Sequence, residues 1–441
     1  MSLEEEVLKR VKPPLAQDRK VATVVGELSK KVAEVSRKLD AHVETMLVGS
    51  VAKGTHLKDP DIDLFMLFPE STELEELKTK GLAIGRKIID GRDHFAQHPY
   101  VRGMYKGFQV DLVPCFRIRD TRRKMSAVDR TPFHTEFVKK NLKKGQADEV
   151  RLLKRFMKGI ECYGAEAKVQ GFSGYLCELL VMRFGNFKGV LEAATQWKVG
   201  EVLSLPCFEG KEFAEPLTFV DPVDCSRNVA SAVSPETLLR FVLASREYMK
   251  SPEMKFFFPA ERLTWDADKM QEAAGKRLGN LLSVTFPQLD LIDDVVYPQL
   301  RKSLVSITAL LERADFEIEK TTIHVDGITH LLVELSAMTL PKERKHRGPP
   351  VNSENVTAFL DKWNSVGVSK PYIESGRWYV TVRREFERAD ALVKAKLDSI
   401  PLGKDVKEQG RFGVESGKDL LAEKHLAALT RHFDERMPWE R

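Results

Sequence analysis

The sequence is poor in several features that would have placed it at once. No apolar run approaches the ~18–20 residues a membrane-crossing helix needs, and the opening "MSLEEEVLKRVKPP" is too charged for a secretory leader, so the expectation is a cytoplasmic protein with no membrane partner. Cysteine is scarce: Cys115, Cys162, Cys177, Cys207 and Cys225 are odd in number, widely spaced and form no C-x-x-C. That argues against a zinc site or a disulfide framework, and each is expected to be a small core residue. Internal repeats and low-complexity segments are missing too. A net charge of +5 over 441 residues identifies no partner. The local basic runs, "RIRDTRRK" at 117–124, "KKNLKK" at 139–144 and "KERKHR" at 342–347, suit either phosphate or plain solvent.

What is there is an ordinary globular composition, 42% apolar and 31% charged, with room for two to four domains of roughly 100–200 residues. Val21, Val24, Val25, Leu28, Val32, Val35 and Leu39 recur at helical spacing. "VETMLVGS" reads as a strand ending in a tight turn, and "DIDLFMLFP" as a second strand. A helix over 73–90 follows, then a third strand, "YKGFQVDLVPCF", ending at Pro114. From 148 to about 258 the pattern is helical. "DEVRLLKRFMKG" carries Arg151, Lys154 and Lys158 as a basic stripe, and Ser234-Pro235 opens a later helix. Beyond 258 strands and helices mix: Leu300, Leu304, Ile307 and Leu311 mark a helix, Asp326-Gly327 a hairpin, and "GRWYVTVRREF" a strand. The last 50 residues read as helical and charged.

The chemistry concentrates in "LVGSVAKGTHLKDPDIDLFML". Side chains in a strand repeat every two residues, so Asp61 and Asp63 share a face while Ile62 and Leu64 point to the core. An ionised Asp in an apolar strand is costly without a partner, and two side by side suit a divalent metal. Asp111 in "FQVDLVP" is the candidate third ligand if its strand lies beside the second. The Gly49-Ser50 turn then reads as a triphosphate cradle: Gly49 allows close approach, Ser50 adds a hydroxyl and Lys53 a charge.

This G-S…D-h-D…D pattern resembles the polymerase-beta-type nucleotidyltransferase superfamily. "KMSAVDRTPFH", "EVRLLKRFMKGIECYGAEAKVQGFSGYLCELL", "FVDPVDCSRNVASAVS" and "PYIESGRWYVTVRREF" extend the likeness. Over residues 5 to 390 they resemble, in order, the archaeal-type (class I) CCA-adding enzymes, tRNA nucleotidyltransferases. The resemblance implies an α+β fold: a nucleotidyltransferase head with a mixed sheet (1–147), a helical neck (148–258), an α/β RNA-binding body (259–390) and a helical tail (391–441). It implies addition of C, C and A to the tRNA 3′ end from CTP and ATP, without a template, by two-metal nucleotidyl transfer that releases diphosphate. Matched by motif, Asp61, Asp63 and Asp111 are the catalytic Mg²⁺ carboxylates. Ser50, Lys53, His134, Lys154, Tyr163 and Arg227 match nucleotide-binding positions, Arg227 being the one that reads the base edge. Two positions depart from the common pattern: Asp61 stands where Glu is usual, and Lys53 where Arg is usual. The resemblance also implies a homodimer formed through the tail. In the body, Arg344, Lys345, Arg347 and the strand around Trp378 are candidate tRNA contacts. A relative with another acceptor, such as a poly(A) polymerase, and an RNA-binding protein without chemistry are the alternatives.

Overall fold

The computed structural model describes residues 1–441 except 96–98, 120–125, 127 and 206–212, and the side chains of 94 and 95. Cys207 and most of the basic run at 117–124 therefore lie outside the described residues. The chain divides into two compact units, Met1–Glu261 with Ile292–Asp294 and Arg436–Arg441, and Arg262–Leu291 with Val295–Glu435.

The first unit opens with α1 (Leu3–Val11), α2 (Leu15–Lys38), β1 (Glu44–Val48), α3 (Gly49–Ala52), β2 (Ile62–Phe68) and α4 (Leu74–Ile88). Strands β3 (Asp90–Phe95), β4 (Pro99–Tyr105) and β5 (Phe108–Phe116) complete a five-stranded sheet in the order β1-β2-β5-β4-β3. The β2–β5 pair is parallel and the others are antiparallel. Strand β2 is buried along nearly its whole length, as a central strand covered by helices must be. Helix α4 lies hard against the sheet because Gly81 has no side chain: a Cβ there would meet Pro114 at 2.5 Å. Two features differ from the sequence expectation. Strands β3 and β4 stand where none was expected. The third strand runs through Pro114 to Phe116, because Pro114 lies past the last pairing with β4 (Val101 opposite Leu112), where its missing N–H does least damage.

A mainly helical layer follows: α5 (Thr131–Asn141), α6 (Gln146–Gly159), α7 (Gly174–Phe184), α8 (Phe187–Ala194) and α9 (Pro235–Lys250). A small sheet of β6 (Glu201–Leu203), β7 (Leu217–Asp221) and β8 (Asp224–Asn228) interrupts it. Ser234 caps α9 through its hydroxyl, 3.2 Å from the Thr237 N–H, with Pro235 in the first turn as expected. Phe156 sits at the centre of an aromatic core with Phe187, Phe241, Tyr248 and Phe257. Trp439 stacks on Phe256 at its edge. Cys115, Cys162 and Cys177 are buried as expected, but Cys225 is exposed, because it lies on the outer hairpin strand β8.

The second unit contains α10 (Ala267–Ala274), β9 (Leu281–Pro287), α11 (Asp293–Arg313), β10 (Ile318–Asp326), β11 (Ile328–Leu335) and β12 (Glu343–Pro350). After these come α12 (Val356–Val366), β13 (Tyr372–Glu374), β14 (Arg377–Arg383), α13 (Ala389–Lys396), α14 (Lys404–Glu408), β15 (Gly413–Ser416) and α15 (Glu423–Phe433). Its larger sheet has the order β10-β11-β9-β15, packed on the Leu300, Leu304, Ile307 and Leu311 stripe of α11. Gly327, at φ +64°, makes the turn between β10 and β11. Strand β15 corrects the all-helical reading of the last 50 residues: it is short, but it bonds along β9. In the second sheet, β12-β14-β13, Trp378 packs with Phe359 and Val380 under α12, while Lys345 lies over the Tyr379 ring at 4.2 Å and pairs with Glu374. Among the described residues no helix is long and apolar enough to cross a membrane.

Phe156→Ala is expected to lower the unfolding free energy of the first unit by about 3–5 kcal/mol, whereas Met104→Ala, at a side chain 59% exposed, should change it by less than ~0.5 kcal/mol. Urea unfolding of both variants followed by fluorescence checks the contrast.

Candidate functional site

The first sheet places two of the expected carboxylates in direct register. Asp63 of β2 is opposite Asp111 of β5 and, on its other side, opposite Val48 of β1. Asp61 is exposed and sits just before β2 begins. Gly49 turns the chain out of β1 at φ +70°, and a Cβ there would lie 2.0 Å from Asp63 Oδ2. Any larger residue would fill the space the carboxylate uses. Burial drives the Asp63 carboxyl up to about 7, and the charges of Asp111 and Asp61 add to that rise. The Asp61 carboxyl is raised as well, first by partial desolvation, though the residue as a whole stays exposed, and then by the charge of Asp111.

Asp111 is held by a residue the sequence reading passed over. Arg102 of β4 donates Nε to Oδ1 at 2.7 Å and Nη2 to Oδ2 at 2.5 Å, a bidentate clamp across the sheet. That bond pushes the Arg102 guanidinium further above its ordinary value. Among the described residues no group of three or more His, Cys, Asp or Glu side chains is arranged to hold a metal ion as it stands. The donor set nevertheless fits a hard divalent cation: three carboxylates repel one another at one end of the sheet, with the Arg102 guanidinium paired to Asp111 as counter-charge.

The candidate phosphate contacts gather around a second carboxylate. Glu178 of α7, 1% exposed, accepts from Lys53 Nζ at 2.8 Å, Lys154 Nζ at 3.3 Å and Thr55 Oγ1 at 2.5 Å. Burial alone would raise its carboxyl, but Lys154 and Lys53 outweigh burial and hold it below the ordinary range. The expected basic stripe on α6 is not one exposed face: Arg151 and Lys154 are buried and only Lys158 is exposed. Arg151 donates to the carbonyls of Gly54 and His56 at 2.5 and 2.9 Å, and Lys154 to Thr55 Oγ1 at 3.1 Å, so α6 fastens the loop between α3 and β2. Ser50 is half-buried on α3. The Tyr163 ring is half-buried, with Lys158 Nζ over it at 5.2 Å, and burial raises its hydroxyl.

A third buried carboxylate organises the remaining two residues. Asp221, at the end of β7, stands 2.9 Å from His134 Nε2 and 3.0 Å from Arg227 Nη1. The neighbouring Asp224 carboxylate accepts from Arg130 Nη1 at 3.1 Å. His134 stacks on Tyr175 with ring centroids 4.1 Å apart, and Lys53 Nζ lies 5.2 Å above the same Tyr175 ring. Burial lowers the His134 imidazole below its ordinary value. The sequence reading missed Arg102, Tyr175, Glu178 and Asp221. The available signal was the one it used for Asp63, a charge alone in an apolar element: "YLCELLV" and "LTFVDP" both show it.

The raised Asp63 carboxyl has a consequence for stability. Its folded value lies above the unfolded one, so the folded state binds the extra proton between about pH 4 and 7 and loses relative stability as pH rises through that window. In EDTA, Asp63→Asn is expected to melt above the wild type at pH 8, with the gap closing towards pH 5. Differential scanning calorimetry at the two pH values checks it.

Models of three families match in succession: a nucleotidyltransferase domain at residues 28–134, the second domain of tRNA nucleotidyltransferase at 148–258, and the C-terminal domain of CCA-adding enzyme at 277–417. The CCA-adding enzyme of Methanosarcina barkeri is 41% identical over 418 residues, covering 93% of this chain and 92% of the relative. That of Thermoplasma acidophilum is 35% identical over 431 residues, covering 97% of each. Among solved structures, E. coli MS115-1 CdnC with ATP aligns over 57% of this chain and 92% of that one, at 18% identity and a TM-score of 0.44. With full-length relatives at this identity and all three domain models in order, the chain belongs to the family of CCA-adding enzymes, the tRNA nucleotidyltransferases.

Proposed function

We propose that this site adds C, C and A to the 3′ end of tRNA from CTP and ATP, with Asp61, Asp63 and Asp111 holding Mg²⁺. The observation that carries the reading is the pairing of Asp63 with Asp111 on adjacent strands, against a turn that admits no side chain at position 49. When bound, the metal supplies the positive charge that eases deprotonation of the tRNA terminal hydroxyl and offsets the charge on the leaving diphosphate.

The chain's own groups do the rest. Lys53 and Lys154 bind the triphosphate, each starting from a contact with Glu178 that keeps its ammonium extended and in place. Ser50 offers a hydroxyl at the turn, and Tyr163 borders the sugar. Arg102 holds the Asp111 carboxylate in one orientation through two bonds until a metal competes for it. Arg227 is a donor-only side chain suited to the unprotonated ring nitrogens of cytosine and adenine, with His134 beside it. Lys53 in place of the commoner Arg offers a compact ammonium instead of a fork, which suits sharing between a carboxylate and a phosphate.

The reading extends to a head at 1–147, a neck at 148–258, a body at 259–390 and a tail at 391–441, to a homodimer, and to a cytoplasmic location. The matches at 148–258 and 277–417 support the middle of that division.

The direct test supplies tRNA lacking its 3′ end with labelled CTP or ATP and Mg²⁺. With ATP alone on a tRNA ending in CC, incorporation should stop after one A; a long A tract would instead indicate a poly(A) polymerase. Asp63→Ala and Asp111→Ala should each lower incorporation by at least about 10³-fold while tRNA gel-shift affinity is kept. Normal turnover in either variant refutes the carboxylate assignment.

A further inference from the structure

Asp221 has no exposed surface, yet it stands at the inner end of the two side chains assigned to the nucleotide. Its Oδ2 receives Arg227 Nη1 at 3.0 Å and His134 Nε2 at 2.9 Å. Its Oδ1 receives the backbone N–H of Val223 at 3.0 Å and the Tyr175 hydroxyl at 3.3 Å. An ionised carboxylate offers about four acceptor positions, and here four donors occupy them. Because the carboxylate only accepts, the proton of neutral His134 sits on Nε2, facing Asp221. Arg227 is anchored through one nitrogen and is about a third exposed, so Nη1 is held at Asp221 and its remaining N–H groups are left for a ligand.

Cytosine and adenine present an unprotonated ring nitrogen where uracil and guanine carry N–H. A guanidinium favours the first pair. A carboxylate with a free lone pair at the same place would favour the second. Asp221 is a carboxylate directly behind Arg227, and its four donors, together with its burial, keep it from acting in that way. We infer that Asp221 is a positioning residue for base selection: it tethers Arg227 through Nη1 and, with its acceptor positions filled, offers nothing to the N–H of uracil or guanine. This rests on the assignment of Arg227 to the base edge. The stack of His134 on Tyr175 belongs to the same device, since each ring carries a donor to a different Asp221 oxygen.

The test is single-nucleotide incorporation of each of the four triphosphates on tRNA acceptors, giving kcat/KM for the wild type, Asp221→Asn, Arg227→Ala and the double variant. Asp221→Asn should lower the preference for CTP and ATP over UTP and GTP roughly tenfold, the worth of one charge-assisted anchor. Arg227→Ala should both lose CTP and ATP and gain UTP and GTP, because it frees an Asp221 lone pair. The double variant should then incorporate less UTP and GTP than Arg227→Ala alone. Equal slowing of all four nucleotides by Asp221→Asn, with the Arg227→Ala preference altered, overturns the inference and leaves the Arg227 assignment standing. An unaltered preference in Arg227→Ala overturns both. Should Asp221→Asn fail to fold, Tyr175→Phe replaces it: the ring stays against His134, one Oδ1 acceptor is freed, and a shift of about two- to threefold in the same direction is expected. No shift in that variant overturns the inference.

Discussion

Repulsion among carboxylates at one end of the first sheet is the constraint on which the site depends. Asp63 is held between Val48 and Asp111 by strand pairing, so it cannot move away from its neighbour without breaking register. Burial and the nearby charges make its ionised form costly, which is why its carboxyl sits near neutrality. Only positive charge relieves such a cluster. The fold supplies part of it from Arg102, on the opposite side of Asp111 from Asp63. The rest has to come from outside the protein. A sheet that builds in its own repulsion is a poor arrangement for stability alone and a good one for a cation that comes and goes.

Helix α7 joins the other two clusters. Tyr175 and Glu178 are three residues apart, one helical turn, and so lie on one face. Tyr175 reaches Asp221 and carries the His134 stack, while Glu178 reaches Lys53 and Lys154. Lys53 touches both, bonded to Glu178 and lying over the Tyr175 ring. The end of the site assigned to the base and the end assigned to phosphate are thus fastened to a single rigid element, whose N-terminus is capped by Ser173 through the Leu176 N–H at 3.1 Å. Arg151 and Lys154 tie the loop from Gly54 to His56 to α6 in the same way.

Much of this was legible in the residues. The alternation in "DIDLFMLF" placed Asp63 correctly among core neighbours, and the lone Asp in "FQVDLVP" led to the adjacent strand. The long helix α11 and the Asp326-Gly327 turn followed from periodicity and turn chemistry. What escaped has common physical causes. Strand β3 is rich in charge, and β4 opens on proline and is interrupted by Arg102-Gly103, so neither shows a clean apolar alternation; β4 forms because β5 offers a side to pair with, and β3 pairs with β4 in turn. Strand β15 has four residues, too few to show a period, and exists through β9. Lys154 looked like solvent-facing charge because helical spacing cannot reveal that a partner as distant in sequence as Glu178 will be buried against it. Pairings of that kind belong to the tertiary fold, and a resemblance to a family carries them where periodicity does not.

Taken with their fixed partners, the three clusters differ in the charge they leave over. Asp61, Asp63 and Asp111 against Arg102 leave an excess of two negative charges when all are ionised. Lys53 and Lys154 against Glu178 leave one positive charge. Arg227 against Asp221, with His134 neutral because burial depresses its protonation, leaves none. A divalent cation, a polyphosphate and an uncharged base are the three things a nucleotide on its metal presents, and their charges complement this sequence of residuals. The partial neutralisation within each cluster matters as much as the remainder. Fully unpaired, these groups would be too costly to bury; fully paired, they would have nothing left to offer a ligand. The buried carboxylates Glu178 and Asp221 set that balance, and neither has to touch the nucleotide to do so.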